Sequence, residues 1–552
     1  MIEQISKYKI HIFMVLFCTI FFCIYSNFNQ VVIDHENPKF SSPDETGNYF
    51  WIDRFASGQP TYYFEDLNGV GTNLLHLRGM NTIEGRVTPG SFIGMTVTYG
   101  MLAKVFSTSA IPYLTPIFAI LGLIFFYLLI NKLFKNSSIA LISTVLLSFF
   151  PGYLYYASRG MYHNILFISL SIIGIYLLLK ALELKDKKYL NQSVYFLSGL
   201  TVGLAIITRT SEIVWLAMTV LLIFIFNFKR INWLGLIAFL AGLWIPALIL
   251  LYYNQILYGA FISAGYRAIV PSGGIGEAIK SGILFRILVS PFGFEPKSIL
   301  INGYNYLVKF LPFWSAGAAL GGILFLTLPK KLISISFKRR IIYLVFFLLI
   351  SLYLLIFYGS WQFSDRIDET TLSLGTSYLR YWLPIYLLAI PFLATLIWQI
   401  TKLVTAFKLN HKNIYRTIIS AILVLLLFMP TINMVFRQTD ESLFLLKNLS
   451  NTRLKSELVT NKIESNDVIV IYKQADKIFF PERDNIITDL VVDADYEAVA
   501  NLAKFRSVYY YTFAPPATVE FISKRDFEPH GMEIVEGQRI LGTDWLYKIK
   551  LR

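Results

Sequence analysis

Acidic side chains are scarce in this chain: 35 Asp and Glu stand against 49 Lys and Arg, and charged residues of every kind make up only 15%. Charges this thin over 552 residues do not suit a set of soluble domains. Cysteine is nearly missing as well. Cys18 and Cys23 both fall inside the first apolar run, so no disulfide framework staples the fold. Residues 438–552 lack a Gly-rich phosphate loop and a metal-spaced Cys/His cluster, and the chain shows no low-complexity tract and no internal repeat. The last absence weighs against a secondary transporter, whose halves commonly repeat.

What is abundant is apolar. Hydrophobic residues reach 55%, aromatics 16%, and mean hydropathy is +0.56. These values describe a polytopic membrane protein with many bilayer interfaces. The net charge of +14 resembles a nucleic-acid signal until it is mapped. Residues 438–552 are close to neutral, so the excess sits in the membrane part, where Lys and Arg set orientation and meet anionic lipid. No nucleic-acid partner is expected; the bilayer is.

Ile10–Ile33 reads as an uncleaved first span, preceded by Lys7 and Lys9. A long loop, 34–108, follows, in which Glu45–Ala56 and Pro89–Phe106 are amphipathic and suit the membrane surface. Further spans are predicted at Ala110–Phe134, Ile139–Tyr156, His163–Leu182, Asn191–Thr208, Glu212–Phe228, Trp233–Tyr253, Tyr306–Leu328, Ile341–Tyr358, Leu379–Leu403 and Ile414–Phe436. That makes about eleven helices, each near the ~20 residues that cross a hydrocarbon core.

The loops between them test an orientation. With a cytoplasmic N-terminus, the inside loops carry Lys132 and Lys135, then Lys185, Lys187 and Lys188, then Lys229 and Arg230. Lys330, Lys331, Lys338, Arg339 and Arg340 come next, followed by Lys402, Lys408, Lys412 and Arg416. Each of these loops is short and basic, as the positive-inside rule requires. The loop 34–108 and the C-terminus are then extracytoplasmic, on a plasma-membrane protein. Beyond it the pattern turns soluble. Helices at Leu443–Ile463, Asp495–Phe505 and Pro516–Arg525 alternate with strands at Asp467–Tyr472, Asn485–Thr488, Ser507–Thr512, Glu533–Glu536 and Trp545–Lys550. The expected class is therefore a polytopic α-helical membrane protein, residues 1–437, with a small C-terminal α/β soluble domain, residues 438–552.

Adjacent carboxylates, Asp44 and Glu45, stand in the long outer loop. The plainest account is a capping box, with Ser42 as N-cap, Pro43 at the first helical position and Glu45 three residues on. The outer side also gathers cations, and an ionisable group near bilayer depth is a functional candidate. Arg159 follows Tyr153, Tyr155 and Tyr156, which read as an interfacial tyrosine belt; His163 opens the next helix. Arg209 and Glu212 have the spacing of a helical ion pair. Arg267, Arg286 and Lys297 lie in the loop after Tyr253, and Arg366 precedes Arg380 and Tyr381. One acidic loop facing several cations suits an anionic, lipid-linked substrate better than a free ion.

Four stretches carry a family likeness: Pro43-Asp44-Glu45, Tyr155-Tyr156-Ala157-Ser158-Arg159, Gly203-Leu204-Ala205-Ile206-Ile207-Thr208-Arg209 and Tyr378-Leu379-Arg380-Tyr381-Trp382-Leu383-Pro384. Their order resembles the GT-C superfamily of membrane glycosyltransferases, nearest the protein O-mannosyltransferase and lipid A aminoarabinose transferase branch. The resemblance implies transfer of a sugar from a polyprenyl-phosphate donor to an extracytoplasmic protein, glycolipid or cell-wall polymer. It implies Asp44 as general base with Glu45 beside it, and donor-phosphate contacts from Arg159, His163, Arg209, Arg267, Arg380 and Tyr381. Glu212, Arg286, Lys297 and Arg366 are further candidates. Relatives often carry an acidic residue shortly after the Arg159 position, whereas this chain has Met161-Tyr162-His163-Asn164. A divalent metal cofactor therefore stays open. The alternatives are a lipid or solute transporter or flippase, and a ligase or polymerase using pyrophosphate-linked donors.

Overall fold

Inside a bilayer the backbone must satisfy its own hydrogen bonds, so long apolar runs become helices. A computed structural model of the chain describes residues 2–32, 39–184, 188–263, 288–330, 332–333, 335–363, 372–405, 412–437, 442–444, 450–471, 473–488 and 490–552. Among these, seven helices are long and apolar enough to cross a membrane, or up to nine if each of two bent pairs counts as one span. The first apolar run lies in the 31-residue helix Ile2–Val32. The expected span from Glu212 is the shorter apolar stretch Thr210–Phe226.

The chain divides into two units. One comprises residues 1–29, 113–250 and 269–445; the other comprises 30–112, 251–268 and 446–552. The loop within 34–108 thus groups with the C-terminal residues, not with the spans that precede and follow it.

In the first unit both bends follow from proline chemistry. A residue before proline is pushed out of the helical region. Phe150, at φ −59° and ψ 128°, breaks Ser137–Phe149 from Pro151–Arg159, and the two helices meet at 57°. Leu311 does the same before Pro312, where Pro296–Lys309 and Pro312–Thr327 meet at 92°. The helices His163–Ala181 and Lys188–Thr208 form an antiparallel hairpin in which the Ser198 hydroxyl donates to the Gly174 carbonyl at 2.8 Å. Small residues at such crossings let backbones approach. A Cβ at Gly242 would fall 2.2 Å from the Phe196 carbonyl oxygen.

The tyrosines expected to form an interfacial belt are instead interior. Tyr153, Tyr155 and Tyr156 are all at most 1% exposed. Tyr153 donates to the Ala119 carbonyl at 2.7 Å and Tyr156 to the Leu374 carbonyl at 2.9 Å. This short helix is buried throughout, and its Tyr153 and Tyr156 hydroxyls each find a carbonyl.

The second unit holds two sheets. β1 (Tyr63–Phe64), β2 (Met80–Ile83) and β3 (Arg86–Pro89) pair antiparallel in the order β1-β3-β2. β4 (Val468–Ile471), β5 (Ile486–Ile487), β6 (Val508–Thr512), β7 (Met532–Leu541) and β8 (Asp544–Leu551) form a mixed sheet ordered β5-β4-β6-β8-β7. Loop residues complete that sheet at its β5 edge. Leu75 bridges Ile487 antiparallel, and the His76 amide donates to the Ile486 carbonyl at 3.0 Å. The apolar packing is shared too: Trp51, Leu77, Met80 and Val87 of the loop lie in one core with Ile469, Ile471, Phe479, Phe480 and Tyr511.

Candidate active site

Three of the predicted cations meet in the first unit, and they meet through tyrosines. The Arg159 guanidinium lies 5.3 Å from the Tyr155 ring centroid and 5.0 Å from that of Tyr162. Arg380 lies 5.1 Å from the same Tyr162 ring and 5.0 Å from Tyr381. Arg209 lies 4.6 Å from Tyr381 in turn. The result is a ladder in which arginine and tyrosine alternate, two of its rings each shared by two guanidiniums. Arg159 and Arg209 are buried, and Arg380 is half-buried. Guanidinium is weakly hydrated and stacks well on aromatic faces, each contact contributing up to about 2 kcal/mol when desolvated.

Local sequence sets each rung. Arg159 ends the Pro151–Arg159 helix, one turn after Tyr155, to whose hydroxyl oxygen its Nη1 donates at 2.7 Å. The chain then reverses through Gly160 and Met161, both at positive φ, and His163 begins the next helix. His163 itself is buried. Its neighbour Asn164 donates to the Arg380 carbonyl at 3.0 Å. Arg380 lies in the short helix Ser377–Tyr381, where its Nη2 donates to the Ser377 hydroxyl at 2.9 Å. Buried Trp382 ends that helix, its indole donating to the Leu354 carbonyl at 3.0 Å.

At the far end of the ladder Arg209 pairs with Glu212 at 3.2 Å, both side chains buried. The expected i, i+3 spacing holds, on a 3-10 turn at Thr210–Glu212. Glu212 also accepts from the Tyr358 hydroxyl at 2.5 Å and from the Trp215 indole at 2.5 Å. Arg209 donates to the Tyr358 oxygen at 3.1 Å, and the Tyr358 ring stacks on Tyr381 at 4.6 Å. A buried ion pair is favourable only when such extra hydrogen bonds satisfy it.

The carboxylates belong to the second unit. Pro43–Ala56 is a helix with Ser42 at its N-cap and Pro43 in its first turn, as the sequence predicts. The capping box does not form, because the Ser42 side chain makes no cap hydrogen bond. The two acids differ sharply in setting. Asp44 is exposed, whereas Glu45 is only 2% exposed. Asp44 Oδ1 lies beside Gly79, at whose Cα an added methyl would meet it at 3.6 Å.

Lys297 is exposed on the helix Pro296–Gly303. Arg267, Arg286 and Arg366 lie outside the described residues. Among the described residues no three His, Cys, Asp or Glu side chains come together as a set fit to hold a metal ion. Sequence reading missed Tyr162, Trp215, Tyr358 and Asn164. Tyr162 and Asn164 flank His163 in a stretch already singled out, but nothing local marks Tyr358, which comes from a span 146 residues beyond Glu212.

Residues 94–260 match the family described as dolichyl-phosphate-mannose-protein mannosyltransferase. No curated protein matches the chain. Among solved structures, ArnT from Cupriavidus metallidurans bound to undecaprenyl phosphate is 11% identical with a TM-score of 0.48, covering 97% of this chain and 98% of its own. The archaeal oligosaccharyltransferase AglB from Archaeoglobus fulgidus, in complex with an inhibitory peptide and a dolichol-phosphate, is 11% identical with a TM-score of 0.48, covering 90% of this chain and 69% of its own. The matched stretch, residues 94–260, includes Arg159 and Arg209 of the ladder, and this part of the chain is similar to that mannosyltransferase family.

Proposed function

We propose that the protein transfers a sugar from a polyprenyl-phosphate donor to a hydroxyl acceptor, with inversion at the anomeric carbon and Asp44 as the general base. The observation that carries this reading is the convergence of Arg159, Arg209 and Arg380 on one tyrosine ladder. Guanidinium forks match phosphate oxygens in a way that point-like ammonium groups do not. The match to a family whose description names a lipid-phosphate sugar donor points the same way.

In the proposed reaction the acceptor oxygen attacks the anomeric carbon from the face opposite the phosphate. The new glycosidic bond forms as the bond from that carbon to the phosphate oxygen breaks, and its electron pair leaves with the polyprenyl phosphate. The acceptor proton passes to the Asp44 carboxylate, the exposed member of the acid pair; such base assistance contributes about 10²–10⁴-fold. Negative charge growing on the departing phosphate meets guanidiniums already held in place by their rings. A fixed donor of this kind is worth about 3 kcal/mol in a dry site. No nucleotide-binding fold is needed, because the donor bond is already activated. In this reading the acid loop and the C-terminal domain are extracytoplasmic and the N-terminus is cytoplasmic.

Membranes containing the protein, incubated with a panel of radiolabelled polyprenyl-phosphate sugars, test the reading. Consumption of one donor, with label appearing on an acceptor and free polyprenyl phosphate released, is the expected result. Indifference to the whole panel refutes it and favours transport.

A further inference from the structure

If Asp44 accepts the proton, its place must be set, and two stretches of backbone near it, at Ser41 and at Arg78, are bonded to one short helix. Resting on that reading, we propose that the short helix Lys473–Ile478 of the C-terminal domain is the positioning element for the Asp44 carboxylate, with Asp476 and Lys477 as its positioning residues.

These two consecutive side chains reach the chain on two approaches to Asp44. The Lys477 ammonium donates to the Ser41 carbonyl at 2.8 Å, three residues ahead of Asp44. The Asp476 carboxylate accepts from the Arg78 amide at 3.0 Å, one residue ahead of Gly79. Gly79 is the residue against which Asp44 Oδ1 rests. It stands at φ +86°, a conformation that glycine alone adopts without strain. Its carbonyl accepts from the Gly90 amide at 2.9 Å, an approach so close that a Cβ at Gly90 would fall 2.5 Å from that oxygen. At the end of the same short helix, the fully buried Lys39 ammonium donates to the Ile478 carbonyl at 2.8 Å and, just beyond it, to the Phe480 carbonyl at 2.9 Å, and pairs with Glu482.

The apolar core that the loop shares with the C-terminal domain accounts for their co-folding. It does not by itself fix an exposed carboxylate at the start of a helix. Polar bonds to the Ser41 carbonyl and the Arg78 amide act on the backbone just before that helix and just before Gly79, and so contribute to where the carboxylate stands. A general base must come within hydrogen-bond reach of the proton it takes, and a displacement of about 1 Å costs on the order of 10²-fold. Asp476 and Lys477 need touch no substrate to matter.

The test uses full-length protein in membranes and the radiolabelled undecaprenyl-phosphate sugar that the wild type consumes. Asp476→Ala and Lys477→Met are expected to lower kcat by at least about tenfold while donor KM stays within about threefold. Asp476→Asn and Lys477→Arg, which keep the acceptor and the charge, are expected to restore most of the loss. Lys524→Met, which removes an exposed pair with Glu520 elsewhere in the domain, serves as the control and should retain wild-type kcat. Unchanged kcat in the first two variants, or no rescue by the conservative pair, overturns the proposal. If Lys477→Met does not accumulate folded, Lys477→Gln takes its place. A second arm does not depend on turnover. In a Cys18→Ser, Cys23→Ser background, the rate at which maleimide labels Asp44→Cys should change severalfold on adding Lys477→Met; an unchanged rate overturns the positioning role. Donor left untouched by wild-type protein defeats the glycosyltransferase reading, while the labelling arm still decides whether residue 477 sets the place of residue 44.

Discussion

Arg209 stacks on Tyr381, its guanidinium carbon 4.6 Å from the ring centroid, and Arg380 uses the same ring at 5.0 Å. One aromatic side chain therefore fixes the spacing of two cations that enter the chain about 170 residues apart. Removing the ring leaves both charges in place and disturbs only their registration. Tyr381→Leu is expected to raise the donor KM about tenfold, in line with the loss of two partly desolvated cation–π contacts. Initial rates across a donor series measure it; an unaltered KM would mean the ring is packing and nothing more.

Arg380→Ala should weaken donor use more than acceptor use, because its proposed partner is the phosphate. Titrating each substrate separately distinguishes them. A larger effect on acceptor KM would move Arg380 to the other side of the reaction.

Asp44→Asn keeps the size and polarity of the side chain but not its basicity. Transfer is expected to fall by about 10²–10⁴-fold with the protein still folded and inserted. Near-normal turnover in this variant removes Asp44 from the mechanism.

Glu212 serves three donors at once: Arg209, Trp215 and Tyr358. Glu212→Ala leaves the buried Arg209 without this carboxylate, and breaking such a pair costs about 3–5 kcal/mol. Thermal unfolding in detergent should show a clear drop. The double variant Glu212→Ala, Arg209→Met should recover part of it, because no charge is then left buried. A double variant as unstable as the single one would show that the pair is not the source of the loss.

Asp476 is fully buried, and burial lifts its carboxyl to about 6, against the opposing pull of the Arg78 amide and the charges of Arg78 and Lys477. Its folded-state value lies above the unfolded one, so the folded protein holds a proton that the unfolded chain releases. The corresponding stability is complete below about pH 4 and is lost as pH rises through about 6, a change of roughly 3 kcal/mol. Asp476→Asn should flatten this pH dependence and leave the protein more stable at neutral pH. Unfolding midpoints measured from pH 4 to 7 check the sign.

Most helices were legible in the sequence because their cause is local. Apolar length marks a span, but the spans expected at Ile139–Tyr156 and Tyr306–Leu328 run straight through the breaks that the structure places at Phe150 and Leu311, each before a proline. The fate of the tyrosines was not legible either. Tyr153, Tyr155 and Tyr156 have the composition of an interfacial belt, and their interior position depends on partners distant in sequence, such as the carbonyls of Ala119 and Leu374 that accept from Tyr153 and Tyr156. The same holds at the candidate site. Arg159, Arg209, Arg380 and Tyr381 could be picked singly, but the Tyr162 ring that Arg159 and Arg380 share and the Tyr358 oxygen that accepts from Arg209 bring together elements far apart in sequence. The capping box failed for a related reason: local spacing permitted the Ser42 cap, but no cap bond forms from its side chain.

The bridge from Leu75 to Ile487 carries a consequence for biogenesis. A ribosome releases the loop that carries Leu75 early, roughly four hundred residues before the strand that completes its packing exists. The loop must wait, partly open, while the spans are threaded one after another. Its maturation is therefore a closing event of synthesis, and the nascent chain gains its acid-bearing corner last.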